Sequence, residues 1–183
     1  CDWMLERKAA FVGLDLADDE VNFPASPFAP LFQKAKAQGV GITVHAGEPC
    51  VEGAANNILI AIDELGADRI GHGVQAIQDD RVVERLAQEG IPLELCPWSN
   101  VLTRAVPSLE AHPFKTLMER GVKTTLNTDD PGVMDITLMD ECRHATQNLG
   151  LSTSDLIKCN SWSRKASFIP QERIDTVWPT TDS

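Results

Sequence analysis

Positive charge is scarce in this sequence. Across 183 residues, 16 Lys and Arg stand against 27 Asp and Glu, a formal net charge of −11. The cations that exist do not cluster: Lys34 with Lys36, and Arg81 with Arg85, fall at the spacings of ordinary solvated helix faces. Binding a phosphate backbone calls for a concentrated positive surface, so DNA and RNA are excluded as partners. Cysteine is wrong in number and spacing for a framework. Cys1, Cys50, Cys96, Cys142 and Cys159 form an odd set with no CxxC pair, which excludes a disulfide scaffold and a cysteine-rich zinc module and leaves reduced, mostly packing thiols. There is no basic leader with an apolar core and no apolar run long enough to span a bilayer. Neither secretion nor membrane insertion is indicated, and a cytoplasmic home is expected. Also missing are the phosphate-cradling loops GxGxxG and GxxxxGK[ST], internal repeats and low-complexity stretches.

A hydrophobic content of 43% is enough to bury a core and build one globular domain, or a large part of a bigger one. Short apolar runs bounded by turn residues alternate with stretches of helical period, the pattern of strand and helix units around a parallel sheet. The strands are expected at Phe11 to Leu16, Gly41 to His45, Arg69 to Gly71, Ile91 to Leu95 and Val122 to Leu126. Between them lie a helix from Phe28 to Gln38 ending at Gly39, one carrying Ile58, Leu59, Ile62 and Leu65 and closing at Gly66, one with Val82, Val83 and Leu86 on a single face before Gly90, and one opened by Pro113 and stopped by Gly121. Helices from Leu138 to Leu149 and from Ser154 to Ala166 follow, and Pro170 and Pro179 are expected to mark a loose tail.

Polar residues gather at the strand ends: Asp15, then His45 and Glu48, His72, Cys96 to Asn100, and Asp129 with Asp130. In a barrel these ends converge on one face, where barrel enzymes keep their chemistry, whereas a doubly wound sheet spreads them along a line. An α/β fold of (β/α)8 type is therefore expected. A full barrel needs roughly 250 residues, so residues 1–183 are expected to be a partial barrel domain made of the last five βα units. The chain opens on Cys1 and runs almost at once into a strand, and the natural N-terminus is expected to lie upstream.

Three segments carry the chemistry. In Val44-His45-Ala46-Gly47-Glu48 an imidazole and a carboxylate stand three residues apart, a combination suited to a metal ligand beside a proton donor. In Ile70-Gly71-His72-Gly73 the two glycines leave no bulk on either flank of the histidine, open to a substrate or a water. In Asn127-Thr128-Asp129-Asp130-Pro131 adjacent carboxylates follow an apolar strand, and such a pair calls for a cation or a shared proton. Cys96, at the end of a buried strand with no assignable triad, is read as a packing thiol. His112 and His144, next to helical segments, are read as structural or surface residues.

In this order GLDLA (residues 13–17), VHAGE, RIGHG, LELCPWSN, the His112-Pro113 dipeptide and LNTDDP resemble adenosine deaminase and its relatives, over about residues 11 to 170. The resemblance implies a zinc-dependent hydrolytic deaminase acting on adenosine, a small-molecule purine nucleoside. Within it His45 and Asp129 are metal ligands, Glu48 is the proton donor to purine N1, His72 orients or deprotonates the attacking water, and Asp130 accepts a hydrogen bond from the substrate at N7. Two departures stand out. The family's other zinc ligands come from a His-x-His motif on the first barrel strand, and these four histidines contain none. Asp18 occupies the place of a family glycine whose backbone N–H meets the purine, and its carboxylate bears on substrate preference. Adenine or AMP is the alternative substrate; the alternative class is an inactive barrel fragment serving as a binding module, whose unpaired strand edges are expected to make it poorly soluble alone. The zinc cytidine-deaminase type is excluded by its missing His-x-Glu and Pro-Cys-x-x-Cys signatures. Oligomeric state is left open.

Overall fold

Five parallel strands, each hydrogen-bonded to the next in chain order, organise the protein. The computed structural model describes residues 1–178. The strands are β1 (Gly13–Leu16), β2 (Gly41–Ala46), β3 (Arg69–His72), β4 (Leu93–Leu95) and β5 (Thr124–Leu126). The helices are α1 (Asp2–Leu5), α2 (Ala29–Lys36), α3 (Ala54–Asp63), α4 (Asp80–Glu89), α5 (Pro97–Leu102), α6 (Phe114–Glu119), α7 (Pro131–Met134), α8 (Leu138–Gln147), α9 (Thr153–Ala166) and α10 (Gln171–Val177). This is the α/β architecture of the expected barrel, seen as an arc of five consecutive units.

Alternation along each strand decides which side chains meet the helices. On β2, Ile42, Val44 and Ala46 are buried, while Thr43 and His45 between them face the concave side. Helix α4 supplies Val82, Val83 and Leu86 to the same layer; a side chain of that kind contributes about 1.5–3 kcal/mol when fully buried. It begins at Asp79, whose carboxylate accepts from the Arg81 N–H, and stops at Gly90 in the left-handed region. Capping boxes open α8 (Thr137 with Asp140) and α9 (Ser152 with Asp155).

The concave face is polar below the rim. Thr43 donates to Glu94 at 2.6 Å, Arg69 lies 3.0 Å from the same carboxylate, and its guanidinium also donates to the Ala166 carbonyl at 2.8 Å. Beneath Arg69 the Phe168 ring closes the floor, stacked 3.8 Å from the guanidinium carbon. Glycines make room for that ring: a Cβ on Gly13 or Gly41 would stand 2.5 or 2.4 Å from it.

One expectation needs correction. The tail after Pro170 is not loose, because Pro170 serves as the N-cap of α10, and a proline is as well suited to opening a helix as to preventing one. Pro179 lies outside the described residues. The strand-end segment after β4 turns at once into helix, Pro97–Leu102. Its residues are mediocre helix formers, and it is held by tertiary contact, since the buried Glu141 of α8 accepts a hydrogen bond from the Trp98 N–H at 2.9 Å. A carboxylate at a helix N-terminus is also favoured by the helix dipole.

Candidate active site

Parallel strands put their C-terminal ends on one rim, and the register aligns the histidines there: His45 pairs with Gly71, and Ala46 with His72. The His45 ring leans across β3 over Gly71, where a Cβ would come within 2.9 Å of Nδ1. The space beside Gly71 is thus filled by the His45 ring, and a Cβ on Gly73 would meet Leu93 at 2.6 Å. The expectation that these glycines leave room for a ligand is corrected: they leave room for packing.

His45 Nδ1 lies 3.3 and 3.2 Å from the two oxygens of Asp15. That hydrogen bond raises the His45 pKa, against the opposing effect of burial. With its hydrogen on Nδ1, the ring turns an unprotonated Nε2 outward, as metal-ligating histidines with a carboxylate partner do. His72 is only 2% exposed, and burial drives its pKa down. Its ring centroid is 5.0 Å from that of His45, so two imidazoles side by side are pushed in opposite directions by their surroundings.

His72 Nε2 lies 3.8 Å from Glu48 Oε2 and 3.8 Å from Asp129 Oδ2. His45, His72 and Asp129 each offer a donor atom, all within 4.8 Å of one another, close enough to share one ion. Ser99 on α5 donates to Asp129 at 2.8 Å, and Thr103 donates to Glu48 at 3.0 Å. Both His72 (φ 56°) and Asp129 (φ 58°) sit in the left-handed region that favours glycine, and strain of this kind concentrates at functional sites. A cavity of about 580 Å³ opens between the rim and the polar layer, lined by Asp15, His45, His72, Cys96 and Asp129 among others.

The remaining expected residues are less central. Asp18, at φ 100° and exposed, lines a neighbouring cavity of about 300 Å³ shared with His45, Glu20 and Phe23. Asp130 is exposed at the start of α7. Cys96 is a buried thiol whose pKa burial raises well above the ordinary value, in keeping with a packing role. His144 stacks on Trp98 with centroids 5.3 Å apart.

Sequence reasoning missed Glu20, Asn100 and the reach of His112. The Glu20 carboxylate accepts from the Gly47 N–H (2.8 Å), the Glu48 N–H (2.8 Å) and Asn57 (2.7 Å), and so fixes the turn that presents Glu48. Gln75 braces the same turn through the Glu48 carbonyl at 3.2 Å. Asn100 bridges His112 and His72 with contacts of 3.1 Å on each side. A carboxylate two residues after the polar Asp18 could have marked Glu20; nothing local marks the others.

A family model described as Adenosine deaminase matches residues 4–179. Among individual proteins, the adenosine deaminase of Erwinia tasmaniensis is 42% identical over 176 residues, which is 96% of this chain and 52% of that protein. The chain therefore spans about half the length of the curated relatives it matches. The crystal structure of an adenine deaminase from Arthrobacter aurescens superposes with a TM-score of 0.87 at 34% identity, covering 96% of this chain and 53% of its own. An amidohydrolase from Burkholderia ambifaria with bound zinc gives a TM-score of 0.84 at 25% identity, covering 97% and 49%. No helix among the described residues is long and apolar enough to cross a membrane.

Proposed function

Because this chain belongs to the adenosine deaminase family, we propose that it carries the larger share of a zinc-dependent site for hydrolytic deamination of adenosine to inosine and ammonia. The observation that carries this reading is the meeting of His45, Glu48, His72 and Asp129 on one rim, with His45 Nδ1 tied to Asp15. Residues 1–183 form one partial barrel domain in this reading, working in the cytoplasm on a small purine rather than on nucleic acid.

The donor set suits zinc. An imidazole nitrogen freed by a carboxylate on its far side and an aspartate are ordinary zinc ligands; His45 and Asp129 would hold the ion, with further ligands from outside these residues. Such an ion supplies hydroxide at neutral pH. The protein's own groups do the rest. Glu48 gives a proton to purine N1, which withdraws electrons from C6. His72 holds the attacking oxygen in line with C6. Addition there makes the carbon tetrahedral, and the amino group leaves as ammonia, so water and adenosine balance inosine and ammonia. Purine N7 has a lone pair and no hydrogen, so the expected donation to Asp130 is corrected: the hydrogen bond between them runs from Asp130 to N7. The carboxylate of Asp18 faces the neighbouring cavity and tunes which purine is accepted.

The likeness to an adenine deaminase favours one second reading, in which the free base replaces the nucleoside. The decisive measurement is zinc content together with ultraviolet-monitored conversion of adenosine and of adenine by the full-length protein and by Glu48→Gln. Stoichiometric zinc with adenosine turnover, lost by roughly 10²–10⁴-fold in Glu48→Gln while zinc is retained, supports the proposal. Turnover of adenine alone selects the second reading. Absence of zinc binding sinks both and leaves a binding module.

A further inference from the structure

From His72, on the side away from the cavity, a line of three buried side chains, His72 included, runs into the protein. Asn100 is 0% exposed, His72 2% and His112 6%. At the inner end the Phe114 backbone N–H donates to His112 Nδ1 at 3.1 Å. A backbone amide only donates, so His112 Nδ1 carries the lone pair and the neutral ring carries its hydrogen on Nε2. That hydrogen meets Asn100 Oδ1, 3.1 Å away, which settles the orientation of the carboxamide. Asn100 Nδ2 then faces His72 Nδ1 at 3.1 Å. A carboxamide nitrogen also only donates, so His72 Nδ1 must accept.

The remaining hydrogen of His72 is left on Nε2, the nitrogen that faces Glu48 and Asp129. We propose that Asn100 and His112 are positioning residues that hold His72 as its Nε2–H tautomer, so that His72 meets the nucleophilic oxygen as a hydrogen-bond donor. It follows that His72 does not ligate the metal despite lying in the donor cluster with His45 and Asp129. It also does not take the water's proton at that nitrogen; Glu48, which faces the same space, can receive it once it has given its own proton to purine N1. The opposite tautomer would aim two hydrogens at each other between His72 and Asn100. Turning the carboxamide over only moves that clash to His112, whose own tautomer is held by the Phe114 amide.

This inference rests on the deaminase reading of the site, and its test separates the two. Two-bond nitrogen–proton NMR on the 15N-histidine-labelled full-length protein, with His72 identified by its loss in His72→Gln, reads the tautomer without turnover. The expected result is Nε2–H in the wild type. In Asn100→Asp, where a carboxylate can only accept, the tautomer should invert to Nδ1–H, and kcat should fall by roughly 10–100-fold, as for lost outer partners, with a much smaller change in KM. His112→Gln keeps a donor toward Asn100 and should retain the wild-type tautomer, whereas His112→Leu should not. An Nδ1–H His72 in a wild-type protein that deaminates adenosine overturns the relay, as does an unchanged tautomer in Asn100→Asp. If Asn100→Asp does not fold, the wild-type spectrum and the two His112 variants still decide. An Nε2–H His72 in a protein that deaminates no 6-aminopurine overturns the reading of the site on which the relay rests.

Discussion

Replacing Glu141 by Gln is expected to stabilise the protein at neutral and alkaline pH and to leave it nearly unchanged in acid. The Glu141 side chain is fully buried. One oxygen accepts the Trp98 N–H at 2.9 Å, and the other, Oε2, has no hydrogen-bond partner. Burial accordingly pushes its pKa up from 4.5 to about 7. A carboxyl whose folded pKa is raised costs nothing while both folded and unfolded states are protonated, below pH 4.5. Between pH 4.5 and 7 the unfolded chain ionises and the folded one does not, so stability falls by about 1.4 kcal/mol per pH unit. Above pH 7 the full cost is reached, on the order of 3 kcal/mol. Gln accepts the same Trp98 bond and does not titrate, so the difference between variant and wild type should grow from about zero to about 3 kcal/mol across that window. For a protein of this size that is roughly 6–12 °C in Tm. Buried His112 contributes the opposite slope: burial lowers its pKa from 6.5 to about 4, so its stabilisation is lost as pH falls through that interval. The two slopes oppose each other in the wild type between pH 4.5 and 6.5, and Glu141→Gln should unmask the histidine. Thermal or urea unfolding of both proteins across this range is the assay. A stability difference that does not vary with pH would refute the reasoning and show that Oε2 is solvated.

Two further substitutions test the frame around the site. Glu20→Ala removes the acceptor of the Gly47 and Glu48 backbone N–H groups; each orphaned donor should cost about 1–3 kcal/mol, read as a lower unfolding midpoint accompanied by reduced turnover, and an unchanged midpoint would contradict the bracing role. Asp18→Gly relieves a non-glycine residue at φ 100° and should raise stability by roughly 1–3 kcal/mol, measured by denaturant unfolding, with a shift in the ratio of adenosine to adenine turnover; a destabilised variant would show that the carboxylate is held by contacts stronger than its strain.

What could be read directly from the residues, and what could not, divides by distance along the chain. The five strands and the faces of α2, α3, α4 and α6 were legible because their signals are local: runs such as Gly41 to His45, the Val82, Val83, Leu86 stripe, and glycine stops at Gly39, Gly66, Gly90 and Gly121. The clustering of His45, Glu48, His72 and Asp129 was legible because parallel strands must bring their ends together. Helix α5 was hidden because its support comes from Glu141, 43 residues after Trp98. The bracing by Glu20 spans 27 and 28 residues to Gly47 and Glu48, and as a sequence feature it is one acid among the charges following β1. The glycines around His72 were conspicuous but misleading, since a missing side chain does not say which neighbour takes its place.

The strand order has a bearing on how the chain assembles. Because each strand adds beside the one synthesised before it, a nascent chain emerging N-terminus first can build the sheet by successive docking, and no strand has to be threaded between two already in place. Each addition closes a loop of one βα unit, and loop-closure entropy grows only slowly with length. Phe168 is the exception. Its ring reaches back under Gly13 and Gly41, more than a hundred residues upstream, so it can seat only after all five strands have left the ribosome. Until then the underside of β1 and β2 stays open to solvent, and the seating of one aromatic ring is the step that completes the floor of the sheet.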